Sequence, residues 1–147
     1  MIRQATAADA SRIAEILIFS KRMHYRQIFS NDKVSFGEMQ VYPLAKGYLD
    51  DPRELDGIWV YEDEFVKGMI HISENQILEL YVDSFFENRG IGSQLLQFAT
   101  EKMHCDFLWV LEKNANALRF YQKHGFAVTD EKMPQEGTEE FIVKMVR

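Results

Sequence analysis

Two runs of strand character, Gln76 to Val82 and Phe107 to Leu111, flank an amphipathic stretch from Gly90 to Met103. In that stretch Ile91, Leu95, Leu96, Phe98, Ala99 and Met103 recur at helical spacing. A helix between two strands of one sheet carries the chain back along its length, so the strands run parallel and the crossover is right-handed by default. Ligands in such sheets sit beyond the carboxyl end of a strand, where the next helix begins. Here that place is Val82 to Ser93.

The rest of the chain fits around this unit. Ile2 to Gln4 reads as a short edge strand, and Thr6-Ala-Ala-Asp9 as a capping box with Asp in place of Glu or Gln. A first helix then runs from about Ala7 into the Phe19–Tyr25 region. Ser35-Phe-Gly-Glu38 reads as a second capping box, and Pro43 must kink the helix it opens or start a new turn. From Gly57 the apolar period changes from helical to alternating. Ile58 to Tyr61 and Phe65 to Ser73 read as strands joined by the polar turn Glu62-Asp63-Glu64. Asn114 to His124 reads as a last helix closed by Gly125, and Phe126 to Thr129 and Glu140 to Val146 as two final strands. The order βα-α-βββ-α-β-α-ββ predicts one α/β (α+β) domain over residues 1–147 with a mixed sheet.

Composition narrows the function. At 147 residues with 46% hydrophobic and 27% charged residues, the chain has the make-up of one ordinary globular domain. No run approaches the 20 or so apolar residues needed to cross a bilayer, and Met1-Ile2-Arg3-Gln4 lacks the pattern of a signal peptide. The single cysteine, Cys105, suits a reducing compartment. The expected location is the cytoplasm, with no membrane partner. Seventeen Lys and Arg against 23 Asp and Glu give a formal charge of −6, the wrong balance for a nucleic-acid binder. A polyanion can still be held by backbone N–H groups.

Residues 83–93, Asp-Ser-Phe-Phe-Glu-Asn-Arg-Gly-Ile-Gly-Ser, supply such groups where a strand gives way to a helix. Gly-x-Gly alone is a weak signal. A Rossmann fingerprint would need a further glycine at Leu95, and the Gly-Lys-Ser/Thr of a P-loop is absent.

Two motifs together are specific. Leu80-Tyr81-Val82 followed by Glu87-Asn88-Arg89-Gly90-Ile91-Gly92 resembles the acetyl-CoA-binding motif of the GNAT N-acetyltransferase family. Some twenty residues on, Asn114-Ala-Asn-Ala117-Leu-Arg-Phe120-Tyr121-Gln-Lys-His-Gly125-Phe126 is similar to that family's second motif, Asn-x-x-Ala-x-x-Phe-Tyr-x-x-x-Gly-Phe. The resemblance implies a GNAT-type mixed, mostly antiparallel sheet of six to seven strands flanked by about four helices. It implies acetyl-CoA as cosubstrate, an amine acceptor and no metal, and leaves a homodimer open. Leu80, Tyr81 and Val82 would pair through their backbone with the pantetheine arm. N–H groups from Glu87, Asn88, Arg89, Gly90, Ile91, Gly92 and Ser93 would hold the diphosphate. Asn114 would contact the arm or cap its helix, and Tyr121 would stand near the sulfur as acid for the leaving thiolate. Glu87 departs from the family's Gln/Arg at the head of the loop, and a carboxylate there would repel a diphosphate.

Direct attack of an amine on the thioester also calls for a base. Glu79, the lone charge in an apolar strand, is the first candidate. A two-residue turn at Glu74-Asn75 would set Ile70 opposite Glu79 and turn His71 and Glu79 to opposite faces. For the acceptor site, the family's usual segments offer His24, Tyr25, Phe29, Phe36, Tyr42, Tyr48 and the acidic loop Asp130 to Glu140. The competing function is a non-catalytic acyl-CoA-binding or regulatory module on the same fold.

Overall fold

The computed structural model describes residues 1–147. Its strands are β1 (Ile2–Gln4), β2 (Ile58–Asp63), β3 (Phe65–Ser73), β4 (Gln76–Val82), β5 (Phe107–Leu111), β6 (Ala127–Pro134) and β7 (Phe141–Val146). Four α-helices accompany them: α1 (Ala10–Phe29), α2 (Val41–Asp50), α3 (Ile91–Glu101) and α4 (Ala115–Lys123). The seven strands form one sheet in the order β1-β2-β3-β4-β5-β7-β6. Every neighbouring pair is antiparallel except β4 and β5, the pair joined through α3. This is the fold class expected from the sequence.

Alternation along the strands divides the core into two layers. On β3, Met69 packs with Ile13, Ile16 and Tyr48 under α1 and α2, while Ile70 packs with Leu95, Leu96 and Leu108 under α3. Both β3 side chains are fully buried, each contributing about 1.5–3 kcal/mol by leaving water. The Thr6 N–H donates to the Asp9 carboxylate at 2.8 Å, as a capping box requires. Arg3 grips the same carboxylate with two bonds and Glu62 with two more, tying β1 and β2 to the start of α1.

Several boundaries differ from expectation. α1 runs on to Phe29 and stops at Ser30, which takes a left-handed conformation and bonds back to the Arg26 carbonyl. Ser35 to Glu38 is no capping box. It lies inside a wide helical turn from Lys33 to Glu38, held by Arg22 donating to the Ser35 and Met39 carbonyls. Pro43 sits in the first turn of α2, where a missing N–H costs nothing. Glu62 and Asp63 belong to β2, and the turn narrows to Glu64, at φ 68°. Residues 130–134 of the expected acidic loop continue β6: after an irregularity past Val128, Lys132, Met133 and Pro134 pair with Val143, Ile142 and Phe141 of β7.

The register of β4 is the correction with most consequence. Ser73 pairs with Gln76 and Ile72 with Ile77, as a tight turn demands, but His71 then pairs with Glu79 and Ile70 with Leu80. Leu78 is an extra residue, a β-bulge, and it puts Glu79 and His71 on one face. Pairing between β4 and β5 also ends there: only Gln76–Phe107 and Ile77–Leu108 are matched. A bulge bends and twists its strand, and beyond it β4 and β5 part.

Candidate active site

The parted strands open a cavity of about 1150 Å³ that runs from the first turn of α3 past β4 and β5 to α1. One wall is β4 from Leu78 to Val82, including Leu80 and Tyr81. Its backbone there has no strand partner on the β5 side, although the Ser20 hydroxyl donates to the Val82 carbonyl at 3.4 Å. A wedge with free strand backbone on one side suits an extended ligand that completes the ladder.

The floor of the cavity at one end is the turn into α3. Glu87, Asn88, Gly90, Ile91, Gly92 and Ser93 border it, whereas Arg89 lies outside and stacks on Phe86 at 5.5 Å. The chain bends into the helix through left-handed Asn88 (φ 62°) and Gly90 (φ 83°). The first helical bond runs from the Gln94 N–H to the Gly90 carbonyl, so the N–H groups of Ile91, Gly92 and Ser93 have no helical acceptor and carry the positive end of the helix dipole. Gly92 has an ordinary conformation, and a Cβ there would meet only Phe120 and Val82 at 3.5 and 3.7 Å. The helix itself would tolerate a side chain at 92. What its absence provides is room for an anion to reach the free N–H groups.

The Glu87 carboxylate does not stand alone against that end. His24 on α1 donates to it through Nε2–H at 3.2 Å. On the opposite rim, His124 donates through Nδ1–H to the Phe120 carbonyl at 2.8 Å, while its Nε2 lies 3.0 Å from the Ser93 hydroxyl.

Three phenols gather deeper in. The Tyr25 and Tyr81 hydroxyls share a hydrogen bond of 3.0 Å. Tyr121, wedged edge-on between Phe120 and Phe126, borders the same cavity. Burial pushes the Tyr25, Tyr81 and Tyr121 hydroxyls above the ordinary phenol value, so all three are neutral donors throughout the physiological range. Asn114 borders the cavity and is also the N-cap of α4, its Oδ1 accepting from the Ala117 N–H at 3.2 Å.

Glu79 borders the cavity between Lys21, 3.3 Å away, and His71, 3.7 Å away. Burial alone would raise its carboxyl, but His71 and Lys21 outweigh that and hold it below the usual range. It is a resident anion. Of the expected acceptor residues, His24, Tyr25 and Phe29 line the cavity. Phe36 stacks under Arg22 and Arg26, Tyr42 is 74% exposed, and Tyr48 is buried in the α1–α2 core. Gln135, Glu136 and Thr138 supply the rim from the β6–β7 loop. Lys21, Trp109 and His124 complete the walls. Trp109 was findable from alternation along β5, but nothing in the sequence marks Lys21 or His124. No group of three His, Cys, Asp or Glu side chains is placed to hold a metal ion, and no helix is long and apolar enough to cross a membrane.

The mixed sheet is thus split at its one parallel pair, with a bare helix N-terminus at the head of the split. The family model described as "Acetyltransferase (GNAT) domain" matches residues 54–128, and the chain belongs to that family. By family it is an acetyl-CoA-dependent acyltransferase. It is similar to the peptidyl-lysine N-acetyltransferase YiaC of Escherichia coli, 27% identical over 132 residues that cover 88% of this chain and 85% of the relative. In fold it is similar to an N-acetyltransferase from Staphylococcus aureus Mu50, with a TM-score of 0.77, 19% identity and full coverage of both chains. It is also similar to the PaiA N-acetyltransferase of Thermoplasma acidophilum, solved in complex with coenzyme A. There the TM-score is 0.70 and the identity 21%, covering 100% of this chain and 98% of the other.

Proposed function

We propose that this chain transfers an acetyl group from acetyl-CoA to a primary amine of a small molecule or peptide by direct attack. The observation that carries this reading is the open β4–β5 wedge, with free N–H groups at one end and Glu79 and Tyr121 along it. The pantetheine arm would lie along Leu80, Tyr81 and Val82 and take the backbone bonds that β5 leaves unmade. The diphosphate would sit on the N–H groups of the 87–93 turn, reached past Gly92. Asn114, with its oxygen committed to capping, would offer its amide N–H to the arm.

The amine must lose its protons before and during attack on the thioester carbonyl. Glu79, held anionic by Lys21 and His71, receives that charge and takes the proton directly or through a water. As the tetrahedral centre collapses, the carbon–sulfur bond breaks and its electron pair moves to sulfur. Tyr121 donates a hydrogen bond, and then its proton, to that thiolate, and the tyrosinate regains a proton through water as Glu79 gives up the one it took from the amine. Burial makes the phenol a weaker acid than usual. Its contribution is therefore greatest while charge is building on sulfur, a preorganised donor aimed at the transition state.

The −6 charge and the carboxylates Glu79 and Glu136 at the acceptor side favour a cationic amine. The YiaC relative, named for peptidyl-lysine, supports a lysine-type primary amine. The test is mass spectrometry of an amine panel with acetyl-CoA: lysine-containing peptides, polyamines, aminoglycosides and acidic peptides. A single added acetyl on a primary amine is the expected product. Acetyl-CoA binding with no acetylated amine in any reaction would turn the reading to a binding module.

A further inference from the structure

The imidazole of His124 joins the cofactor end of the cavity to a proton. Its Nδ1 faces the Phe120 carbonyl at 2.8 Å, and a carbonyl can only accept, so the hydrogen resides on Nδ1. In the neutral ring Nε2 is then a bare lone pair, and the Ser93 hydroxyl 3.0 Å away donates its only hydrogen to it. Ser93 is the third residue of α3 and borders the cavity beside the free N–H groups. In this state its hydroxyl turns lone pairs, not hydrogen, toward an incoming anion. Protonating Nε2 reverses the bond: the ring donates to Ser93, and the hydroxyl hydrogen swings free to meet the anion.

We infer that His124 is a positioning residue for the cofactor, switching the Ser93 hydroxyl from acceptor to donor toward the diphosphate and so coupling acetyl-CoA binding to uptake of a proton. This rests on the proposed diphosphate site at the 87–93 turn. The imidazole is the side chain whose charge changes between about pH 5 and 8, and each of its nitrogens has a polar partner fixed by the fold. Phe120 also packs against the ring at 4.7 Å, holding its plane. Other charges face this corner. Glu101 and Arg147 border a small hollow shared with His124 and Ser93, and Arg119 and Lys123 on α4 line the large cavity. His24 and Glu87 stand at the far side of the turn. Of these groups, only His124 bonds to the Ser93 hydroxyl. The sign follows directly. The bound state favours the imidazolium, so affinity for acetyl-CoA falls as pH rises.

The test is calorimetry of acetyl-CoA binding to the full chain from pH 6 to 8.5, in buffers of different ionisation enthalpy, so that protons taken up are counted. For the parent protein the expected affinity falls by up to about tenfold per pH unit, the ceiling for one linked proton, with net uptake near neutral pH. Ser93→Ala and His124→Gln should both flatten the pH dependence and remove the same fraction of a proton, while His104→Asn, at an exposed histidine outside the cavity, keeps it. Titration of the cofactor's own phosphate is common to all variants and cancels between them. Uptake that persists in Ser93→Ala but is lost in His124→Gln would show a through-space charge effect and overturn the relay. Uptake unchanged in both variants would overturn any role for His124. A parent protein that binds no acetyl-CoA at any pH would instead refute the proposed site itself. Circular dichroism of both variants guards against misfolding, and Ser93→Thr, which restores a hydroxyl, should restore the uptake.

Discussion

Glu79 on β4 and His71 on β3 face each other across the ladder, carboxylate to imidazole at 3.7 Å, because Leu78 bulges out of register between them. The same bulge ends the pairing of β4 with β5. One inserted residue thus stands both where the two strands part and where a carboxylate turns toward the cavity. With Lys21 on its other side, Glu79 is held below its ordinary carboxyl range.

That charge state predicts a pH profile. Glu79 is ionised well below neutrality, so the rise of kcat/KM between pH 6 and 9 belongs to deprotonation of the amine, whose ordinary value is about 10.4 for a lysine. Glu79→Gln should lower kcat/KM by about 10²-fold without moving that rise along the pH axis. Initial rates against pH for both proteins check this. A rise that shifts or disappears in the variant would mean that the limb belongs to Glu79.

Tyr121 is buried between Phe120 and Phe126 and borders the cavity. Tyr121→Phe should leave Tm within a few degrees and acetyl-CoA affinity nearly unchanged, while kcat falls by about 10²-fold or more. Parental turnover in this variant would make Tyr121 a packing residue only.

The two glycines of the turn should fail differently. Gly90 sits at φ 83° with open space around it, so Gly90→Ala should cost about 1–2 kcal/mol of stability through backbone strain. Gly92 has no such strain. Gly92→Val should fold and instead weaken acetyl-CoA binding at least tenfold, or about 1.4 kcal/mol. Thermal melts and calorimetry on both variants separate the effects.

How much of this was legible depends on where each signal resides. The strand–helix–strand unit, the N-cap at Asn114 and the two motif segments are local patterns, and they stand where the sequence puts them. The Leu78 bulge is not local: a two-residue turn predicts an even register, and the extra residue brings Glu79 against Lys21 on α1 and His71 on β3, contacts that no local pattern records. The pairing of His24 with Glu87 likewise joins positions 63 residues apart. It gives the carboxylate at the head of the turn a hydrogen-bond donor. Phe36, Tyr42 and Tyr48 were drawn to the acceptor site by residue type alone, and the faces of α1 and α2 send them elsewhere.

Acid should reveal the Arg3–Asp9–Glu62 network. The Arg3 guanidinium holds the Asp9 carboxyl below its ordinary value near 3.8, chiefly by hydrogen bonding and against the opposing effect of burial. A depressed folded value means that this stability is fully present above about pH 4 and is lost as pH falls through the folded value. Asp9→Asn should cost about 1.5–3 kcal/mol at pH 7, a Tm drop of roughly 3–12 °C for a domain of this size. The difference from the parent should narrow below pH 4. A constant difference down to pH 2 would show that the charge of Asp9 contributes nothing.

The central claim is direct acetyl transfer from acetyl-CoA held in the β4–β5 wedge to a free amine. The measurement that meets it most directly is the rate of coenzyme A thiol release, with acetyl-CoA and the best amine varied together. Direct attack needs both substrates bound at once, so the account predicts intersecting double-reciprocal lines, no thiol release without amine, and no burst. Parallel lines with a burst of thiol before amine is added would signal an acetyl-enzyme intermediate and contradict the account, as would tight acetyl-CoA binding with no amine-dependent thiol at all.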